Sequence, residues 1–303
     1  MPEPIAYLKG EFIPADQATL PIYDLGVVMG ATFTEMTRTF GHQLFRAEEH
    51  ITRLFASLKY GGITLPLTPG ELLDITTQVV AHNTQLLRPN EDLAVVQFVT
   101  PGENLMYAGT GGMHLQPTLC IHTFPLPFPK WRTLFQDGAH CVTPPTRHIP
   151  PQCIDPRTKH RSRLHWWLAE RQAQKTDPHA LSLLLDFDGN ITECAGANFL
   201  IVKDRTVFSP HHSQILGGIS LQTVQVLSQE LGLGWEETDL QPYDVLNADE
   251  AWLTTTPYCM APCTRLNGAA IGHGRIGPVF EEVLGAWSNL VGVDIRKQIM
   301  HAQ

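Results

Sequence analysis

The chain has 303 residues, 43% hydrophobic and 17% charged, which is enough apolar material for one large core or two ordinary ones and rules out a disordered tail. Its 21 Lys and Arg against 30 Asp and Glu leave a formal charge of −9, which disfavours nonspecific binding to nucleic acid or to an anionic membrane surface. No apolar run approaches the roughly 20 residues of a bilayer span, and Met-Pro-Glu-Pro lacks the basic and apolar regions of a signal peptide. The six cysteines are scattered (Cys120, Cys141, Cys153, Cys194, Cys259, Cys263) and lack the density of a disulfide scaffold, so a soluble cytoplasmic protein with reduced thiols is expected.

Residues 5–13 predict two short strands around a Lys9-Gly10 turn, and residues 33–40 a further β segment. Ile51, Leu54, Phe55 and Leu58 recur at helical spacing before Gly61-Gly62, the pattern of an amphipathic helix with a glycine terminator. Strands are expected at 93–100 and 118–124, followed by Pro125-Leu-Pro127-Phe-Pro129, a stiff connector unable to enter either regular element. A small N-terminal α+β domain, 1–125, is therefore expected, with a connector at 126–135 and a larger C-terminal domain at 136–303.

Beyond the connector, Leu164, Trp167, Leu168 and Arg171 suit a helix opening shortly after Pro156. Residues 181–186 read as an apolar strand ending in the turn Asp188-Gly189-Asn190, and 191–202 as a hairpin. Ser220 can cap a helix carrying Leu221, Val224, Leu227 and Leu231 on one face, ended by Gly232. Residues 251–254 look like a buried strand.

Few residues could carry chemistry. Of the seven lysines, Lys159 alone lacks an ordinary place in a turn, a helix end, the connector or the tail. It lies between a proline-rich loop and a helix rich in Trp, where desolvation would lower an ammonium's pKa and free a nucleophilic amine; an ordinary surface lysine is the alternative. By strand alternation Glu193 shares a face with Ile191, Ala195, Ala197 and Phe199, so it needs a cationic partner, unless a bulge at Gly196 turns it to water.

Leu216-Gly217-Gly218-Ile219-Ser220 stands before a helix, where amides, a hydroxyl and the helix dipole could converge on a phosphate. Thr254-Thr255-Thr256 offers more hydroxyls at a strand end. Arg53 falls away from its helix's apolar stripe, as a solvated arginine or a phosphate ligand would. A lysine for an imine, a carboxylate for a ring nitrogen and a phosphate cradle are together what pyridoxal phosphate requires. A thiol or metal site at Cys259-x3-Cys263 is a weaker alternative because it lacks a paired second motif, so no metal is expected.

Six ordered blocks resemble the class IV aminotransferases, the fold type IV pyridoxal-phosphate enzymes that include branched-chain and D-amino-acid aminotransferases and aminodeoxychorismate lyase. They are Gly30 to Arg38, Phe45 to Leu54, Lys159-His-Arg-Ser-Arg-Leu164, Asp188 to Phe199, Leu216 to Ser220, and Ala248 to Thr256. The resemblance implies a two-domain α+β fold with a β-barrel-like C-terminal domain, and a homodimer. It also implies pyridoxal 5'-phosphate held covalently by Lys159, which shuttles the proton, with Glu193 on the pyridine nitrogen. Arg53, Gly218, Ile219, Ser220 and Thr256 would serve the phosphate, Leu216 would pack on the ring, and the turn after Thr255 would meet a substrate carboxylate.

An amino acid, branched-chain or hydrophobic by default, and a 2-oxo acid such as 2-oxoglutarate would be the substrates, with no nucleic-acid or membrane partner. A lyase is the alternative, because Lys159-His160 and Thr192-Glu-Cys194 are similar to that subgroup, while Glu35 argues the other way. Thr34, Ser162 and Leu221 depart from common family residues. Pro101 stands where D-amino-acid enzymes carry an arginine, which leaves Arg38, Arg132 and Arg147 as candidates for an acidic substrate.

Overall fold

The computed structural model describes residues 3–111, 113–114 and 116–302. The chain divides into two compact units: Met1–Leu126 with Thr158–Arg163, and Pro127–Arg157 with Leu164–Gln303.

The first unit is built on a six-stranded antiparallel sheet, in the order Glu11–Pro14, Ile5–Leu8, Thr118–Pro125, Leu93–Thr100, Phe33–Phe40, Gln43–Leu44. The first two strands meet at Lys9 and Gly10, whose φ values of +50° and +98° make the reversal that a tight hairpin needs. Helix Ala47–Tyr60 packs Ile51, Leu54 and Leu58 on Val95, Val99 and Ile121. At its end a Cβ on Gly61 would lie 2.2 Å from the Phe33 ring, so glycine lets that ring tuck under the helix. A second helix, Pro69–Asn83, was not anticipated, although Thr68 and Glu71 form a complete capping box around Pro69 at its start.

Thr158–Arg163 joins this unit through the main chain, although it follows the connector in sequence. Thr34 N–H donates to Lys159 C=O at 3.1 Å and Arg161 N–H donates to Thr32 C=O at 2.8 Å, flanking a Phe33–His160 bridge. That adds one antiparallel rung to strand Phe33–Phe40. Ser162 Oγ donates to Gly30 C=O at 2.7 Å, and Lys159 N–H to Ser57 Oγ at 3.2 Å.

The second unit holds a nine-stranded sheet in which six strands close on themselves. Ile191–Cys194, Leu181–Leu185, Ala139–Val142, Cys259–Leu266, Glu250–Thr255 and Ala197–Lys203 follow in order, and the last pairs back to the first. Inside pack Cys141, Leu183, Phe199, Leu253 and Cys263. The barrel-like architecture matches the expectation.

Three local readings change. Helix Leu164–Ala173 opens eight residues after Pro156, and it buries Trp166, Ala169 and Ala173, whose small alanines permit close approach to the sheet. The anticipated stripe is the outer face instead, with Leu164 70% and Trp167 62% exposed. Gly218, not Ser220, is the N-cap of Ile219–Glu230, because its extended backbone makes the turn without a side-chain cap. The hairpin turns on Ala195 and Gly196 alone, pairing Cys194 with Ala197 and Glu193 with Asn198. The alternation therefore resets there, and Glu193 shares its face with Asn198 and not with Ala197 or Phe199. Among the described residues, no helix is long and apolar enough to cross a membrane.

Candidate active site

In the second unit Glu193 is fixed on three sides. Its Oε2 accepts from the Leu216 amide at 3.1 Å and from Asn198 Nδ2 at 3.2 Å, while His148 Nε2 stands 3.5 Å from Oε1. His148 is the cation-capable partner the carboxylate calls for, and the sequence reading missed it. Its position eleven residues before Lys159 carries no spacing signal. Its amide donates to Leu185 C=O at 2.9 Å, and Trp166 packs edge-on at 5.6 Å, so the imidazole is held as firmly as the acid.

Asn198 Nδ2 also donates to Leu216 C=O at 2.8 Å. Asn198 thereby ties the strand carrying Glu193 to the loop leading into helix Ile219–Glu230. A Cβ on Gly218 would come 2.1 Å from Asn198 Oδ1, so no larger residue fits there without moving that amide. Gly218→Ala is expected to cost roughly 1–3 kcal/mol through this overpacking, seen as a lower urea midpoint.

Gly217 and Gly218, the N-terminal turn of the helix and the Ser220 hydroxyl form a donor-rich start where the helix dipole favours an anion. Thr254, 1% exposed and paired in register with Asn198, keeps a buried Oγ without a hydrogen-bond partner among the described residues. Thr255 Oγ is committed to Gly196 C=O at 2.5 Å, while Thr256 follows the strand end, half-buried. A fixed carboxylate, a glycine-lined helix start and an orphan hydroxyl suit a molecule that combines a basic ring nitrogen with a phosphate.

The first unit holds Lys159 and Arg53. Arg53 is not the solvated arginine of the ordinary reading: its side chain is 13% exposed, and Nε and Nη2 grip Glu35 at 2.7 and 2.8 Å. His50 Nδ1 meets the same carboxylate at 2.8 Å. Burial alone would raise the Glu35 pKa, but the charge and hydrogen bonds of Arg53, with those of His50, outweigh it and hold the carboxyl at about 2. Burial pushes the His50 pKa down, opposed by Glu35 and reinforced by the charges of Arg53 and Lys159. The sequence hid this cluster because Glu35 lies on a strand and Arg53 on a helix.

Arg38, a candidate for an acidic substrate, is excluded. It is 1% exposed, lies 3.6 Å from Asp92, and stacks 3.9 Å over Phe40.

Residues 32–266 match the family model described as amino-transferase class IV. A putative branched-chain-amino-acid aminotransferase of Methanocaldococcus jannaschii is 29% identical over 282 residues, covering 91% of this chain and 93% of that protein. D-alanine aminotransferase of Bacillus licheniformis is 28% identical over 292 residues, covering 96% and 98%. Among solved structures, the branched-chain amino acid aminotransferase of Escherichia coli superposes with a TM-score of 0.86 at 23% identity, over 95% of this chain and 95% of that one. Its fold is thus the fold of this chain. With the family model spanning most of the sequence, the protein belongs to the class IV aminotransferases.

Proposed function

We propose that the protein is a pyridoxal 5'-phosphate enzyme that moves the amino group of a hydrophobic, branched-chain-type amino acid to a 2-oxo acid. The observation that carries this is the held Glu193 carboxylate beside the glycine-lined helix start, an acid and an anion cradle joined through Leu216 and Asn198. When bound, the cofactor supplies an aldehyde for an imine and a ring that accepts the electron pair as a Cα–H bond breaks.

The chain supplies the rest. Lys159 Nζ would be the amine that holds the cofactor, and its free lone pair would take up and return the substrate Cα proton. A carboxylate oxygen of Glu193, steadied by Asn198, the Leu216 amide and His148, would keep a proton on the ring nitrogen. Arg53, aimed by Glu35 and His50, would serve the phosphate, as would Gly218, Ile219, Ser220 and Thr256, while Leu216 would pack against the ring. The backbone after Thr255 receives the substrate carboxylate.

A homodimer accounts for the apolar residues each unit exposes: Leu164, Trp167 and Leu168 in the second, Ile22 and Met29 in the first. Six cysteines outside any disulfide suit a reducing cytoplasm.

Titrating pyridoxal phosphate into the purified protein is expected to produce a visible absorption band that borohydride bleaches, leaving the cofactor on a Lys159 peptide by mass spectrometry. An amino-acid panel with 2-oxoglutarate should then yield glutamate. Pyruvate released from aminodeoxychorismate without an acceptor would point to the lyase, and a protein that takes up no cofactor would overturn the reading. Trp167→Glu is expected to convert a dimer to single chains in light scattering.

A further inference from the structure

Two residues beyond Lys159 lies a guanidinium that the first unit leaves without an opposite charge. Arg38, Arg46, Arg53, Arg157 and Arg205 each stand against a carboxylate. Arg161 is exposed, with its Cζ 4.8 Å from the Phe98 ring centroid, and no acidic side chain pairs with it among the described residues. Its electrostatic neighbours are Cys120, Arg163 and His122, which supply no negative charge as a neutral thiol, a cation and an imidazole. Partial desolvation, with repulsion from Arg163, pulls the Arg161 pKa below the ordinary arginine value, so an anion placed there would relieve an existing strain.

The geometry is set by the extra rung on strand Phe33–Phe40. Lys159 C=O and Arg161 N–H both bond to that strand on either side of the Phe33–His160 bridge. Alternate residues of such a rung leave on the same side, so Lys159 and Arg161 share a side, with His160 on the other. Arg161 reaches over Phe98, which pairs with Thr34 on one flank and Cys120 on the other. The Phe98 ring, 4.8 Å from Cζ, gives the guanidinium a surface to rest on, and its planar fork suits a carboxylate.

We propose that Arg161 receives the distal carboxylate of an acidic substrate, glutamate or 2-oxoglutarate, in the transamination assigned above, on which this inference rests. A guanidinium one rung-step from the reacting amine would grip the far end of a dicarboxylate and offer a monocarboxylate only a ring face. Arg161 is then a specificity residue, separate from the residues that serve the cofactor.

The test compares wild type, Arg161→Met and Arg161→Lys loaded with pyridoxal phosphate, using 2-oxoglutarate and 2-oxoisocaproate as alternative acceptors. Binding of glutarate, a non-reacting dicarboxylate, is followed in parallel from the cofactor absorbance, and thermal melting reports the fold of each variant. The KM for 2-oxoglutarate relative to 2-oxoisocaproate is expected to rise roughly 10- to 100-fold in Arg161→Met, the size of a lost hydrogen bond to a charged group. Glutarate binding should weaken by a similar factor, and Arg161→Lys should restore part of both.

An unchanged KM ratio and unchanged glutarate binding in a folded, active Arg161→Met would overturn the proposal while leaving the aminotransferase reading intact. A wild type that transfers amino groups to neither acceptor would overturn that reading and the proposal with it.

Discussion

Lys159→Arg should retain the fold and lose amino transfer by at least about 10²- to 10⁴-fold, the range of general acid–base catalysis by a positioned side chain. A guanidinium stays protonated at working pH, so it has no lone pair to form an imine or to accept the Cα proton. The fold should survive because the main chain places this residue: its amide donates to Ser57 Oγ and its carbonyl accepts from Thr34. Single-turnover kinetics with an aminated cofactor and a thermal melt separate the two effects. A variant that still transfers amino groups at the wild-type rate would remove Lys159 from the reaction.

Glu35→Ala is expected to destabilise the protein by roughly 3–5 kcal/mol, because it strands the Arg53 guanidinium and the His50 imidazole in a buried place without their carboxylate. The effect should depend on pH in a definite direction. The Glu35 pKa is depressed from 4.5 to about 2, so its contribution is fully present above the unfolded value and is lost as pH falls through the folded one. His50 acts in the same sense: its pKa is lowered by burial, so acid favours the unfolded state that can take up the proton. Urea unfolding of wild type and Glu35→Ala at pH 7 and pH 3 should therefore show a stability gap that narrows in acid. The variant should also bind pyridoxal phosphate more weakly, since an Arg53 no longer gripped from behind loses its aim. A gap that widened in acid would contradict the ion-pair account.

What the sequence revealed followed local physics. The Lys9-Gly10 turn, the helix ending at Gly61 and the strands of the second unit each carry their signal within a few residues, in turn chemistry or in the period of apolar positions. Helix Pro69–Asn83 carried an equally local signal in Thr68, Pro69 and Glu71, and only its weak apolar stripe hid it. The long-range pairings were not legible.

No pattern along the chain says that Glu35 waits for Arg53, that His148 faces Glu193, or that Asn198 joins Glu193 to Leu216, since each joins separate elements. The motif blocks are legible nonetheless, because each keeps its residue types within one short run of sequence. The face of helix Leu164–Ala173 was misread for a different reason. Its large apolar residues outnumber the alanines that do the packing, and apolar periodicity alone does not distinguish a stripe turned to the core from one left outside.

The rung that Thr158–Arg163 adds to strand Phe33–Phe40 has a bearing on how such proteins can be cut and recombined. A fragment ending at the proline connector would carry the sheet and Arg53 but lack its last rung and Lys159. A chimera exchanging everything before that connector with a relative would graft a foreign strand edge onto the native lysine segment. Fusions joined instead at the turns on either side of residues 158–163, with that short piece following its parent sheet, are the ones expected to fold with Lys159 on its native strand edge.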